Sequence, residues 1–163
     1  MPNIQNEPRQ LLVGAALMLA TGIFQTFGVV AFQERMEPVR DRVKGNMTLA
    51  RMVGVLSGVM IYLFVLHLLE MCIWGAFYWR LAGTWSFATS LYESALAFTT
   101  IDVADLPTHW RFLSAAEGIT GLLMFAWSTS LLFNQTSWVT AARRMYLRRR
   151  QVVSPRPEIP PAS

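Results

Sequence analysis

The chain has 163 residues, of which 53% are hydrophobic and only 15% charged, with a formal net charge of +4. Average soluble domains carry about 25% charged residues, so this balance excludes an ordinary soluble domain and points to a membrane class. The basic residues flank apolar runs, which argues against a nucleic-acid partner and fits attraction to anionic lipid at a bilayer surface.

Residues 11–32 form the first apolar run, with 22 residues and no formal charge. At about 1.5 Å per residue a helix of that length reaches roughly 33 Å, enough to cross the hydrocarbon core. The rival reading is a secretory signal. It is weakened by an apolar stretch longer than the usual core of about 7–15 residues and by the single basic flank, Arg9. Residues 33–51 are charged and contain Pro38. They are predicted to lie at the cytoplasmic surface as a broken amphipathic helix. Residues 52–79 form a second run in which only His67 and Glu70 ionise. Residues 86–98, SFATSLYESALAF, are apolar-rich but span only about 20 Å as a helix, too short to cross and suited to a re-entrant helix. Ser86 can cap its start, Gly83 and Thr84 break the chain before it, and Pro107 prevents continuation beyond the turn TTIDVADLP. Residues 112–133 are the third run, with Glu117 its one ionisable group. Residues 134–163 begin basic and end in SPRPEIPPAS, whose proline content predicts disorder.

The cations orient these pieces. Arg35, Arg40, Arg42, Lys44 and Arg51 lie between the first and second runs. Arg143, Arg144, Arg148, Arg149, Arg150 and Arg156 follow the third. Arg9, Arg80 and Arg111 fall on the opposite side. Three spans and one re-entrant hairpin put both basic groups on one face, which is then cytoplasmic. The expectation is a multi-pass protein of the plasma (inner) membrane, with residues 1–10 outside and the C-terminus in the cytoplasm. Irregular backbone at membrane depth is tolerated only when buried in protein or lining a water-filled path, so the turn between the short helix and the last span is a pathway candidate.

Three stretches carry a resemblance at this point: LHLLEMCIWGAFYWRLAG, ATSLYESALAFTT and HWRFLSAAEGITGLLMFAWSTSLLF. Their order of parts, the Thr-Thr before a short loop, Trp110-Arg111 and Trp127-Ser128-Thr129 resemble the pore domain of tetrameric potassium channels, in particular small bacterial members. The likeness covers residues 63–133. It implies an all-α membrane protein with an outer helix, a pore helix at 86–98, a filter at 99–105 and an inner helix at 112–133. Residues 52–133 form that pore domain, residues 11–32 look like an added peripheral helix, and four copies close around one axis. The ion pathway implied is Thr99, Thr100, Ile101, Asp102, Val103, Ala104 and Asp105.

The filter departs from the family. Thr100-Ile101-Asp102-Val103-Ala104-Asp105 stands where the family has Thr-Val-Gly-Tyr-Gly-Asp. Backbone carbonyls replace the hydration shell of potassium there, and aiming them inward requires left-handed backbone at the glycine positions. Asp102 and Ala104 occupy those positions, which disfavours a potassium-type filter. Glu93 stands where the family has an aromatic brace, so it joins Asp102 and Asp105 at the outer mouth. Twelve carboxylates near one axis repel one another and call for compensating cations. Calcium suits several carboxylates and retained water. The expected function is a cation channel with altered or lost potassium selectivity, taking K+, Na+ or Ca2+ and no other cofactor. The alternative is a non-conducting, channel-like scaffold.

His67 and Glu70 share a helix face, three residues apart. Glu117 lies at a similar depth. Ionisable groups within a bilayer need partners, and the two readings are a hydrogen-bonded clasp with the pore-helix region or a proton sensor. Two ligands make no zinc site. Gly118 and Gly121 permit either close packing or a hinge. Cys72 is alone in an apolar run and reads as a small core residue. No P-loop, no GxGxxG and no nucleophile with a histidine partner is legible, so nothing supports an enzyme.

Overall fold

The computed structural model describes residues 7–43, 45–102, 104–107 and 110–153. Four helices account for them: α1 Glu7–Val43, α2 Leu49–Ala82, α3 Phe87–Phe98 and α4 Arg111–Val153. No strand occurs among the described residues. α1, α2 and α4 are each long and apolar enough to cross a membrane, and α3 is not.

The helix ends follow local chemistry. The Thr48 hydroxyl accepts from the Arg51 N–H and starts α2. Gly83, at φ 65, ends it. Three residues later the Ser86 hydroxyl accepts from the Thr89 N–H and starts α3.

Two segments differ from the sequence expectation. Residues 33–43 are not a broken surface helix, because α1 runs through Pro38 to Val43. An interior proline costs a helix about 3 kcal/mol. Contacts just beyond it offset this: Arg40 donates to Gln135 Oε1 at 2.9 Å and its guanidinium lies 5.2 Å from the Trp138 ring centroid. The inner helix, expected over 112–133, likewise does not end at Phe133. α4 continues as helix for 20 residues to Val153, held by a cluster of Met47, Val139 and Ala142 with Val43, Met52 and Tyr146 against it. The proline-rich end, 154–163, lies outside the described residues, as do Lys44 and Arg156.

The molecule is inside-out relative to a water-soluble bundle. Leu12, Phe27, Ile61 and Phe64 are 64–72% exposed, whereas Thr21, Gln25, Glu70, Ser94, Glu117 and Gln135 are 0% exposed. Apolar side chains facing outward and neutral or acidic polar groups facing inward are what a bilayer solvent selects. α1 packs on α2 and α4 of its own chain, closely enough that a Cβ on Gly28 would lie 2.6 Å from Leu66 and one on Gly14 3.2 Å from Ala116. Polar ties fasten it along its length: Gln10 Oε1 accepts from the Phe112 N–H at 3.3 Å, Thr21 Oγ1 from Trp74 Nε1 at 3.0 Å, and the Gly28 carbonyl from the Tyr62 hydroxyl at 2.6 Å.

Candidate functional site

The segment after α3 folds back on the helix that precedes it. The Thr100 N–H donates to the Ala97 carbonyl at 3.0 Å and the Ile101 N–H to the Leu96 carbonyl at 3.0 Å, the paired bonds of a Schellman closure. Thr99 is the C-cap, and its hydroxyl donates to the Ala95 carbonyl at 2.6 Å. Thr100 takes the left-handed position at φ 59, the one non-glycine residue with positive φ among the described residues. A potassium-type carbonyl ladder would need left-handed backbone at Asp102 and Ala104, which these residue types disfavour; the positive φ falls instead on a β-branched threonine. The helix carbonyls of Leu96 and Ala97 are thereby consumed by their own turn.

The rest of the turn is pinned from two sides. The Ala104 N–H donates to Ser114 Oγ of α4 at 2.9 Å, and Ala104 and Leu106 are buried against Trp74, Tyr78 and Trp110. The Asp105 N–H donates to Glu93 Oε2 of α3 at 3.1 Å. Glu93 therefore supports the turn's backbone. Ile101, 74% exposed, and Asp102, also exposed, remain at the surface. Both line a cleft of about 380 Å³ whose other wall is α4, through Ser114, Ala115, Gly118, Ile119 and Leu122. Val103 lies outside the described residues.

Gly118 and Gly121 face the C-terminal end of α3. A Cβ at Gly118 would lie 3.2 Å from the Ala97 carbonyl oxygen, and one at Gly121 would run into the Phe98 carbonyl. Their absent side chains let α3 seat on α4.

His67, Glu70 and Glu117 fall into two separate clusters. In the first, Ser94 of α3 sits between α2 and α4: its Oγ lies 2.5 Å from Glu117 Oε1 and 2.9 Å from the Met71 carbonyl. Tyr78 faces Glu117 from α2. Neither Glu117 Oε2 nor the Tyr78 hydroxyl closes a hydrogen bond of good geometry among the described residues. In the second, His67 Nδ1 is 2.7 Å from Glu70 Oε2, His67 Nε2 is 3.0 Å from Ser128 Oγ, and Gln25 Nε2 donates to that same oxygen at 3.0 Å. The His67 ring packs 4.9 Å from Phe125 and 5.9 Å from Phe98, centroid to centroid. His67 thus touches α3 only through an apolar ring.

A histidine-paired hydroxyl, which the sequence did not reveal, does exist. Ser128, His67 and Glu70 stand in the hydroxyl–imidazole–carboxylate order of acyl-transfer triads. Ser128 is however 6% exposed, its oxygen is occupied by the Gln25 amide, and it lies mid-helix, where the backbone N–H groups of an oxyanion hole are already bonded within α4. The arrangement is a three-helix polar tie. Gln25, Ser94, Ser114 and Ser128 were all missed from sequence. Their signal is a small polar residue on the buried stripe of an apolar helix, as in Thr21 and Gln25 one turn apart.

No protein-family model, curated protein or solved structure matches the chain. The potassium-channel likeness rests on residue order and motifs.

Proposed function

We propose that this chain is a membrane cation channel of the potassium-channel pore type, assembled as a homotetramer, that passes partly hydrated cations without potassium-type selectivity. In this reading α3 is a re-entrant pore helix, the Thr99–Asp105 segment surrounds the fourfold axis, and the arginine-rich end of the bundle is cytoplasmic. The observation that carries the reading is the cleft: the closed turn after α3 leaves Asp102 exposed at the head of an open groove along α4. Four such grooves around an axis form a vestibule with a ring of carboxylates, a recurrent cation-selecting device. The loss of potassium preference follows from the missing glycines at Asp102 and Ala104. A cation there meets carboxylate and water rather than a ladder of free carbonyls.

Ile101 favours a second reading. It is 74% exposed beside Asp102, and four such side chains at the axis would form an apolar plug. The protein is then a non-conducting, channel-like scaffold. One experiment separates the readings. Purified protein is reconstituted in liposomes, and potassium, sodium and calcium uptake are measured side by side, with native mass measured on the same preparation. A tetramer with calcium or sodium flux comparable to potassium flux supports the channel. A tetramer with no flux selects the scaffold, and a clean monomer or dimer removes both.

A further inference from the structure

We propose that Gln25, Ser128, His67 and Glu70 form a proton-binding latch that fastens α1 to α2 and α4, with one added proton reversing the hydrogen bonds from the imidazole outward to Gln25. The chain of contacts is continuous. Glu70 Oε2 to His67 Nδ1 is 2.7 Å, His67 Nε2 to Ser128 Oγ is 3.0 Å, and Ser128 Oγ to Gln25 Nε2 is 3.0 Å. All four residues are buried, two of them at 0% exposure.

The donor count singles out this cluster. With one proton shared between His67 and Glu70, Nδ1–H donates to the carboxylate and Nε2 accepts from the Ser128 O–H. Ser128 Oγ in turn accepts from the Gln25 amide, as observed. This wiring uses every donor that points along the chain and leaves two buried acceptors, Gln25 Oε1 and Glu70 Oε1, without partners among the described residues. Buried acceptors cost free energy until a donor reaches them. An added proton changes the direction of these bonds, giving Gln25 Oε1 a donor in exchange for the acceptor that Nε2 now uses. With the second proton on Nε2, that nitrogen donates to Ser128 Oγ. The Ser128 O–H rotates away and donates to Gln25, whose amide turns to present Oε1. No covalent bond other than the new N–H forms. The imidazolium–carboxylate pair and its bond to Ser128 are then charge-assisted, and such bonds are roughly twice as strong as neutral ones. The strengthened bonds join α2 to α4, and the Ser128–Gln25 bond to α1 stays neutral with its direction reversed.

Among the described residues, Glu70 is the one other titratable group in direct contact with His67. α1 contributes only Gln25, α2 contributes Glu70, α3 contributes the Phe98 ring, and α4 contributes Ser128 and the Phe125 ring. Glu117 belongs to the separate Ser94 cluster.

The test is nuclear magnetic resonance of the full chain in lipid bicelles, labelled with 15N in histidine and glutamine, with His109→Gln to leave one histidine. The expected result is that the His67 ring signals and the Gln25 side-chain amide signals move together, with one midpoint, as pH is lowered from about 9 to about 4. In Ser128→Ala, His67 should still titrate while Gln25 no longer follows. Gln25 signals that stay fixed while His67 titrates in the wild-type sequence overturn the latch, as does a His67 ring that does not titrate at all. The wild-type measurement decides alone if the variant does not fold.

Discussion

The carboxylate of Glu93 holds the backbone N–H of Asp105 at 3.1 Å, so an acid on α3 fixes the far end of the turn that α3 itself begins. The two residues are twelve positions apart and close the segment into a loop. Glu93→Ala is expected to loosen that loop. An exposed, charge-accepted bond of this kind contributes about 1–2 kcal/mol, so the Asp105 amide should exchange with solvent about 5–30-fold faster. Glu93→Gln keeps an acceptor oxygen and should show a smaller change. Hydrogen exchange at Asp105 checks both. Equal exchange in wild type and Glu93→Ala would show that the contact does not constrain the turn.

Thr100 is strained where it stands. Its φ of 59 costs a β-branched residue on the order of 1–2 kcal/mol, and its side chain is exposed. Thr100→Gly should raise stability by about 0.5–1 kcal/mol after the added chain entropy of glycine is counted. Thr100→Val should give no gain. Thermal unfolding in detergent measures the difference, and a destabilised glycine variant would mean that the hydroxyl or the Cγ2 contact with α4 outweighs the strain.

Glycines on α4 and those facing open space should behave oppositely. Gly121→Ala drives a methyl group into the Phe98 carbonyl and should destabilise by about 3 kcal/mol or more, because backbone must move. Gly118→Ala, against the Ala97 carbonyl at 3.2 Å, should cost about 1 kcal/mol. Gly22→Ala and Gly58→Ala meet nothing within 4 Å and should be neutral or stabilising by up to about 1 kcal/mol through helix propensity. Unfolding of the four variants under one set of conditions gives the ranking. A Gly121→Ala protein as stable as Gly22→Ala would contradict the seating of α3 on α4.

Asp102 and Asp105 should differ as cation ligands. Asp102 lines the cleft along α4, whereas Asp105 is drawn toward Glu93 by its backbone. Asp102→Asn is expected to weaken calcium or barium binding by about tenfold or more, and Asp105→Asn by less than about threefold. Calorimetry on the wild type and both variants measures this. Equal affinity in wild type and Asp102→Asn removes the acid ring and leaves Asp102 as a turn residue.

Much of the frame is legible in the chain itself. Three apolar runs announce three long helices, and Gly83 followed by Ser86 announces the break before α3. The ends of α1 and α4 are not legible, because hydropathy reports where a helix suits lipid rather than where it stops being a helix. The arginine-rich continuations stay helical through contacts such as Val139 on Met47 and Arg40 on Gln135, which no local pattern encodes. In the site, the charged members His67, Glu70, Glu93 and Glu117 stand out against an apolar background. Their partners do not: Gln25, Ser94, Ser114 and Ser128 are neutral and common, and only the folded packing reveals which charge each one meets. The turn is legible only in part: the missing glycines at Asp102 and Ala104 tell against a carbonyl ladder, but no local pattern marks Thr100 as the left-handed residue that closes α3.

The bond between Gln25 and Ser128 joins residues 103 positions apart, from the first spanning helix to the last. A ribosome adding roughly 5–20 residues per second needs about 5–20 s to travel that distance. During that interval the Gln25 amide has no Ser128 to receive it. The tie between α1 and α4 therefore closes only once the last helix has been synthesised.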